Sequence, residues 1–143
     1  MSSLLALAAD YLIWPLLTAP LVLWFTHHRR AGIVSTISGL LSWLAALLIK
    51  DFFYLPRPYI LAGHLPPANY LLDGSFPSGH TALALGVSFA IFYFHRRLGL
   101  GLILVSVSIG LARVLSGVHT PADLLGSALI ALAASGLASH SSH

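Results

Sequence analysis

Five apolar stretches separated by short polar breaks dominate the chain. Residues 31–49, AGIVSTISGLLSWLAALLI, run for 19 positions without a charge. Residues 3–26 form another stretch, interrupted only by Asp10 and carrying Pro15 and Pro20. Residues 79–94, 98–118 and 121–139 complete the set. A membrane-crossing helix needs about 20 mostly apolar residues. The pattern therefore predicts an all-α, polytopic membrane helix bundle with about five transmembrane helices and one long outer loop, residues 50–78. Residues 1–143 make a single domain of this kind. The first stretch has no basic n-region and no small-residue cleavage site, so it reads as a membrane helix rather than a signal peptide.

Small residues recur at helical spacing inside these stretches. Ala82, Gly86 and Ala90 are four apart, as are Ser106 and Gly110, and Ser35 and Gly39. Stripes of this kind let helix backbones approach closely in lipid, and packing is their expected role. The loop at 50–78 is different in character. It holds five prolines and the aromatics Phe52, Phe53, Tyr54, Tyr59, Tyr70 and Phe76, residues suited to a platform at the membrane–water interface.

Composition strengthens the membrane reading. Hydrophobic residues make up 57% of the chain and charged residues 8%, with no glutamate. A soluble domain averages roughly 25% charged residues. The absence of cysteine rules out disulfides, thiolate metal sites and a catalytic thiol. A pI near 9.7 would point to nucleic acid in a soluble protein. Here four of the seven basic residues cluster in two short connections, so membrane topology accounts for them and no nucleic-acid partner is expected. THHRR supplies Arg29 and Arg30, and HRR supplies Arg96 and Arg97. The positive-inside rule puts both connections in the cytoplasm and residues 51–77 outside.

On that topology, Lys50, Arg57, His80, Arg113, His119 and Asp123 all fall on the outer face. Ionisable groups at such depth are costly and usually functional. Three cations converging without matching glutamates call for an anionic ligand, and the arginine fork suits phosphate oxygens. The stretch DGSFPSGHTA adds a further device. Ser78 is positioned to cap the helix that follows Pro77, and Gly79 lets a ligand approach the backbone. The helix start offers N–H groups to an anion. His80 sits on the first turn beside them. In RVLSGVHTPAD, His119 and Asp123 are four residues apart. A carboxylate at that spacing can hold one imidazole nitrogen and leave the other to attack. Thr120 and Asp123 also form a capping box, a role compatible with the first.

Taken together, K-x6-RP, PSGH and R-x5-H-x3-D occur in order over residues 50–123. This set resembles the type-2 phosphatidic acid phosphatase superfamily of membrane lipid phosphatases, in particular its undecaprenyl pyrophosphate phosphatases. The resemblance implies that Lys50, Arg57 and Arg113 bind the phosphate, helped by Ser78 and Gly79. It implies that His119 is the nucleophile, Asp123 its orienting partner and His80 the acid that protonates the leaving oxygen. No metal and no cofactor are implied. The family's third motif usually begins Ser-Arg, whereas Ala112 precedes Arg113 here, which removes one phosphate hydrogen bond. Members commonly have six membrane helices against the five read here.

The expected substrate is a lipid phosphate or pyrophosphate, with undecaprenyl pyrophosphate first and phosphatidylglycerophosphate or phosphatidate as alternatives. The expected location is a bacterial inner membrane with the site facing outward, in contact with membrane lipids. A non-catalytic anion-binding protein or transporter is the competing class. Transporters usually carry paired repeats and a midplane site, whereas these motifs share one face. His64 and Asp73 are further candidates for substrate contact, and Asp10 has no assigned role.

Overall fold

The structure, a computed structural model, describes residues 2–63 and 74–140, with side chains from residue 11 onward. The side chain of Asp10, all of His64, Tyr70 and Asp73, and the last three residues lie outside the described residues. The chain is all-helical there. Its order is α1 (Ser2–Phe25), α2 (Arg29–Phe52), α3 (Pro58–Leu61), α4 (Gly79–Phe94), α5 (Arg96–Leu115) and α6 (Pro121–His140). The five long helices coincide with the five apolar stretches. Two boundaries move: α2 runs on through Lys50 to Phe52, and α3 is a single turn inside what reads as loop.

Among the described residues, three helices, α2, α5 and α6, are long and apolar enough to cross a membrane. The 16-residue α4 is shorter. At about 1.5 Å per residue it is about 24 Å long, against a hydrocarbon core of about 30 Å. It is also the central helix, packed against α1, α2, α5 and α6. It can be central because its sequence is small: Ala82, Ala84, Gly86, Ser88 and Ala90 are all buried. At Gly86 the α2 backbone comes so close that a methyl group would strike Ser42 Oγ and the Ser38 carbonyl.

The bundle is inverted relative to a soluble protein. Its interior holds Ser35, Ser38, Ser42, Ser88, Ser106 and Ser127, while Leu104, Leu129, Leu132 and Leu137 face outward. Water would penalise that arrangement, whereas lipid favours it. The buried hydroxyls remain satisfied. Ser42, Ser88 and Ser106 bond carbonyls one turn back in their own helices, at 2.7–2.8 Å. Helices are also tied together: Ser38 Oγ donates to the Gly86 carbonyl at 2.7 Å, and Ser88 and Ser106 Oγ lie 2.9 Å apart, where either can donate to the other in place of its own-helix carbonyl. Such bonds average about 0.6 kcal/mol each in a bilayer. In α1, the interior prolines leave the carbonyls of Tyr11 and Leu16 without a helical N–H partner, and Thr18 Oγ1 donates to the Pro15 carbonyl one turn back at 3.0 Å.

The up-and-down arrangement sorts the polar residues by end. The last turns of α2 and α5 meet the first turns of α4 and α6, gathering Lys50, Arg113, His80 and Asp123 at one end. The α1–α2 and α4–α5 connections, with their arginines, lie at the other.

Candidate active site

The geometry of R-x5-H follows from how α5 stops. Gly117 takes a left-handed φ of 74°, which glycine adopts without strain. The Gly117 N–H then reaches the Val114 carbonyl at 2.9 Å, and the Val118 N–H reaches the Arg113 carbonyl at 3.1 Å. These two bonds are the Schellman helix stop. The His119 N–H also bonds the Arg113 carbonyl, at 3.2 Å. The five-residue gap is thus the length of one helix stop, and it brings His119 back over Arg113. Val118, fully buried, pins the turn.

The next helix begins at once. Thr120 and Asp123 form the expected capping box: Thr120 N donates to Asp123 Oδ2 at 2.8 Å, and Asp123 N donates to Thr120 Oγ1 at 3.3 Å. The same Oδ2 atom accepts from His119 Nδ1 at 3.1 Å. A carboxylate can only accept, so Nδ1 carries the proton and Nε2 of the neutral ring keeps its lone pair. Asp123 therefore caps the helix and fixes the imidazole tautomer together. His119 and Asp123 are almost completely buried. Burial lowers the pKa of His119 below its ordinary value of 6.5; the charges of Arg113 and Arg57 push the same way, and the bond to Asp123 opposes them. The ring is consequently neutral at pH 7, and both guanidinium groups act on it.

A third partner of Asp123 was not read from the sequence. Ser75, buried in the loop before α4, donates its hydroxyl to Asp123 Oδ2 at 2.5 Å. Its backbone N–H bonds the Leu55 carbonyl at 2.7 Å. Beside it, Gly74 lies against the Lys50 carbonyl. Ser75 thus joins the segment between Lys50 and Arg57 to the His119–Asp123 pair at the start of α6. The signal was adjacency alone: Ser75 stands three residues before Ser78 in DGSFPSGH, but nothing in that spacing shows that it faces α6. Phe76 follows, packed so closely over Gly126 that no side chain fits there.

Ser78 corrects its sequence reading in one respect. It occupies the N-cap position of α4 with extended backbone, yet its side chain makes no capping bond. Its hydroxyl instead accepts from Thr81 Oγ1 at 3.0 Å, and its carbonyl accepts from Ser127 Oγ at 2.9 Å. The hydroxyl is occupied because Thr81, one turn on, competes for it with the backbone. Ser78 is fully buried and Gly79 is buried beside Trp43, while His80 is exposed on the first turn of α4. Lys50 is buried in the last turn of α2, Arg57 at the start of α3 and Arg113 in the last turn of α5. Ala112, where the family has serine, is half-buried. Tyr59, grouped by sequence with the interfacial aromatics, is buried, and its hydroxyl makes no hydrogen bond. Such a donor gains about 1–3 kcal/mol from an acceptor.

The PAP2 superfamily model matches residues 30–143. The chain is 28% identical over 135 residues to undecaprenyl-diphosphatase BcrC of Bacillus subtilis (strain 168), covering 92% of this chain and 70% of that protein. It is 31% identical over 126 residues to the bacitracin transport permease protein BcrC of Bacillus licheniformis, covering 85% of this chain and 62% of that one. The chain thus spans less than two thirds of the second relative's length. Among solved structures, Aquifex aeolicus LpxE superposes with a TM-score of 0.76 at 26% identity, over 97% of this chain and 83% of that chain.

Proposed function

Because the chain belongs to the PAP2 superfamily, we propose that this membrane enzyme is a lipid phosphatase that hydrolyses a phosphate or pyrophosphate ester through a phosphohistidine. The observation that carries the reading is the buried His119–Asp123 pair: Nδ1 is committed to the carboxylate, Nε2 keeps its lone pair, and Arg57 and Arg113 lie close enough to act on the ring. Those cations, with Lys50 and the backbone of Ser78 and Gly79, balance the charge on the equatorial phosphate oxygens. Phosphoryl transfer gains mostly from such positioning and electrostatics.

In the first step, Nε2 of His119 forms a bond to phosphorus as the bond to the leaving oxygen breaks. His80, protonated and on the exposed side of α4, gives that oxygen its proton. In the second step, His80 takes a proton from water, the resulting hydroxide displaces His119 from phosphorus, and inorganic phosphate leaves. Asp123 stabilises the imidazolium character that develops on His119. The cations do the work of a metal here, so turnover proceeds without one. The preferred substrate is undecaprenyl pyrophosphate, because three cations can engage a diphosphate's larger charge; the similarity to a named undecaprenyl-diphosphatase supports this choice. The site faces the outside of a bacterial inner membrane, as the arginine-bearing connections at the opposite end favour.

The test is phosphate release by purified protein from undecaprenyl pyrophosphate, phosphatidylglycerophosphate and phosphatidate, with rapid alkaline quenching to trap the acid-labile phosphohistidine. Higher kcat/KM on the diphosphate, and trapped label that disappears in His119→Ala, are expected. Faster cleavage of a glycerophospholipid would move the substrate, and label persisting in His119→Ala would refute the mechanism. A second reading, anion binding without catalysis, is favoured by the similarity to a protein named as a transport permease. It requires no phosphate release from any substrate of the panel.

A further inference from the structure

The two basic connections, 67 residues apart in the chain, are one surface in the fold. The rings of His28 and His95 meet edge to face, with centroids 4.3 Å apart. Around them stand Arg29, Arg30, Arg96 and Arg97, and neither connection contains a carboxylate. The described aspartates with side chains, Asp51 and Asp123, are at the other end of the bundle. Three of the arginines are braced on aromatic rings: Arg29 lies 5.8 Å from the Trp24 centroid, Arg30 6.0 Å from Phe94 and Arg96 5.8 Å from Phe92. Bracing costs no charge, and it reduces the side-chain freedom that an anion would otherwise have to remove. Beneath this rim is a groove of about 470 Å³ lined by Leu23, His28, His95, Arg96, Arg97 and Leu98. Leu98, in the first turn of α5, is exposed, whereas Leu23, in the last turn of α1, is buried, so the groove passes from a cationic rim to an apolar wall that opens outward at Leu98.

We propose that this groove binds the headgroup of an anionic phospholipid in the leaflet opposite the active site, with the phosphodiester between Arg96, Arg97 and the His28–His95 pair and an acyl chain along the exposed Leu98. Two features select a lipid over free phosphate. The apolar floor offers nothing to a small hydrated anion, and Trp24, half-exposed beside the rim, is a residue type that settles at headgroup level. Basic pockets between membrane helices recognise headgroups in this way. The site is separate from the proposed catalytic end and does not depend on its mechanism.

The experiment is thermal unfolding of the purified full chain in a neutral detergent, titrated with phosphatidylglycerol, with phosphatidylcholine of the same acyl chains, or with sodium phosphate. Phosphatidylglycerol should raise the midpoint saturably and phosphatidylcholine should not, while any rise with sodium phosphate, which fits the proposed catalytic end, should be the same in variants of the groove. Arg96→Gln combined with Arg97→Gln should raise the half-saturating phosphatidylglycerol concentration on the order of thirtyfold, from the usual contribution of two arginines near an anionic surface. His95→Ala alone should raise it by a smaller factor. Lys50→Gln, at the far end, should leave it unchanged. Equal stabilisation by phosphatidylcholine, stabilisation by phosphate that is lost in the double variant, or an unshifted phosphatidylglycerol titration in the double variant would each overturn the proposal. Loss of the effect in Lys50→Gln would overturn it too, by placing the headgroup at the other end.

Discussion

Replacing Asp123 by asparagine separates the two jobs that one oxygen performs. Oδ2 accepts from Ser75 Oγ at 2.5 Å, Thr120 N at 2.8 Å and His119 Nδ1 at 3.1 Å. Asparagine retains a carbonyl and is itself a good N-cap, so the start of α6 should survive. Each bond drops from the charge-assisted range of about 1.5–3 kcal/mol to the neutral range of about 0.5–1.5 kcal/mol. A neutral amide is cheaper to bury than a carboxylate, which offsets part of that loss. The net stability change should stay within about 2 kcal/mol. Catalysis should fare much worse. The developing imidazolium loses its counter-charge, and an amide N–H turned toward Nδ1 would force the proton onto Nε2, the atom that must attack. Positioned acid–base groups contribute typically 10²–10⁴-fold, or about 3–5 kcal/mol of barrier. Asp123→Asn should therefore lower kcat at least a hundredfold with KM little changed. Asp123→Ala instead strands three donors at about 1–3 kcal/mol each and should lose folded protein. The assay is steady-state phosphate release alongside size-exclusion and thermal unfolding profiles of both variants. A folded Asp123→Asn enzyme within about threefold of wild-type kcat would show that the carboxylate only caps the helix.

Ser75→Ala should cut kcat by about tenfold, the equivalent of one lost hydrogen bond to a charged acceptor near the low end of its range. KM should change less, and unaltered kcat in a folded variant would remove Ser75 from the site. Because burial and the two arginines hold His119 below 6.5, the acid limb of kcat/KM against pH should fall below 6.5: the neutral nucleophile is lost as pH drops through the lowered pKa. A limb above 6.5 in the free enzyme would contradict this placement. Turnover should persist in EDTA and be inhibited by orthovanadate, and activity lost to EDTA and restored by magnesium would refute the metal-free mechanism. Single cysteines from His27→Cys and Leu61→Cys, both exposed positions, should react with impermeant label from opposite sides, with position 61 outside. Labelling of position 61 only after the cytoplasm is opened would reverse the topology.

What the sequence determined by itself is what short-range chemistry decides. Apolar length sets the five long helices, and small residues four apart become the buried stripe of α4. The Thr120–Asp123 box and the turn from Arg113 to His119 close within six residues, so their partners stand in the sequence next to one another. The residues that carry the family resemblance stand there too, each visible as a polar group in an apolar setting. The tertiary structure decided everything that depends on which helix lies beside which. Ser75 reaches Asp123 across 48 residues because the loop before α4 folds over the start of α6, and no periodicity encodes that meeting. Ser78 looks like a cap until Thr81 and Ser127 compete for its oxygens. His28 and His95 belong to unrelated polar breaks until antiparallel packing sets two helix junctions side by side. In lipid, helix partners are chosen by close packing of small surfaces and a few interhelical hydrogen bonds, each worth well under the cost of an ordinary core mutation. The choice is therefore spread over many weak contacts, and it becomes legible only when the helices are assembled.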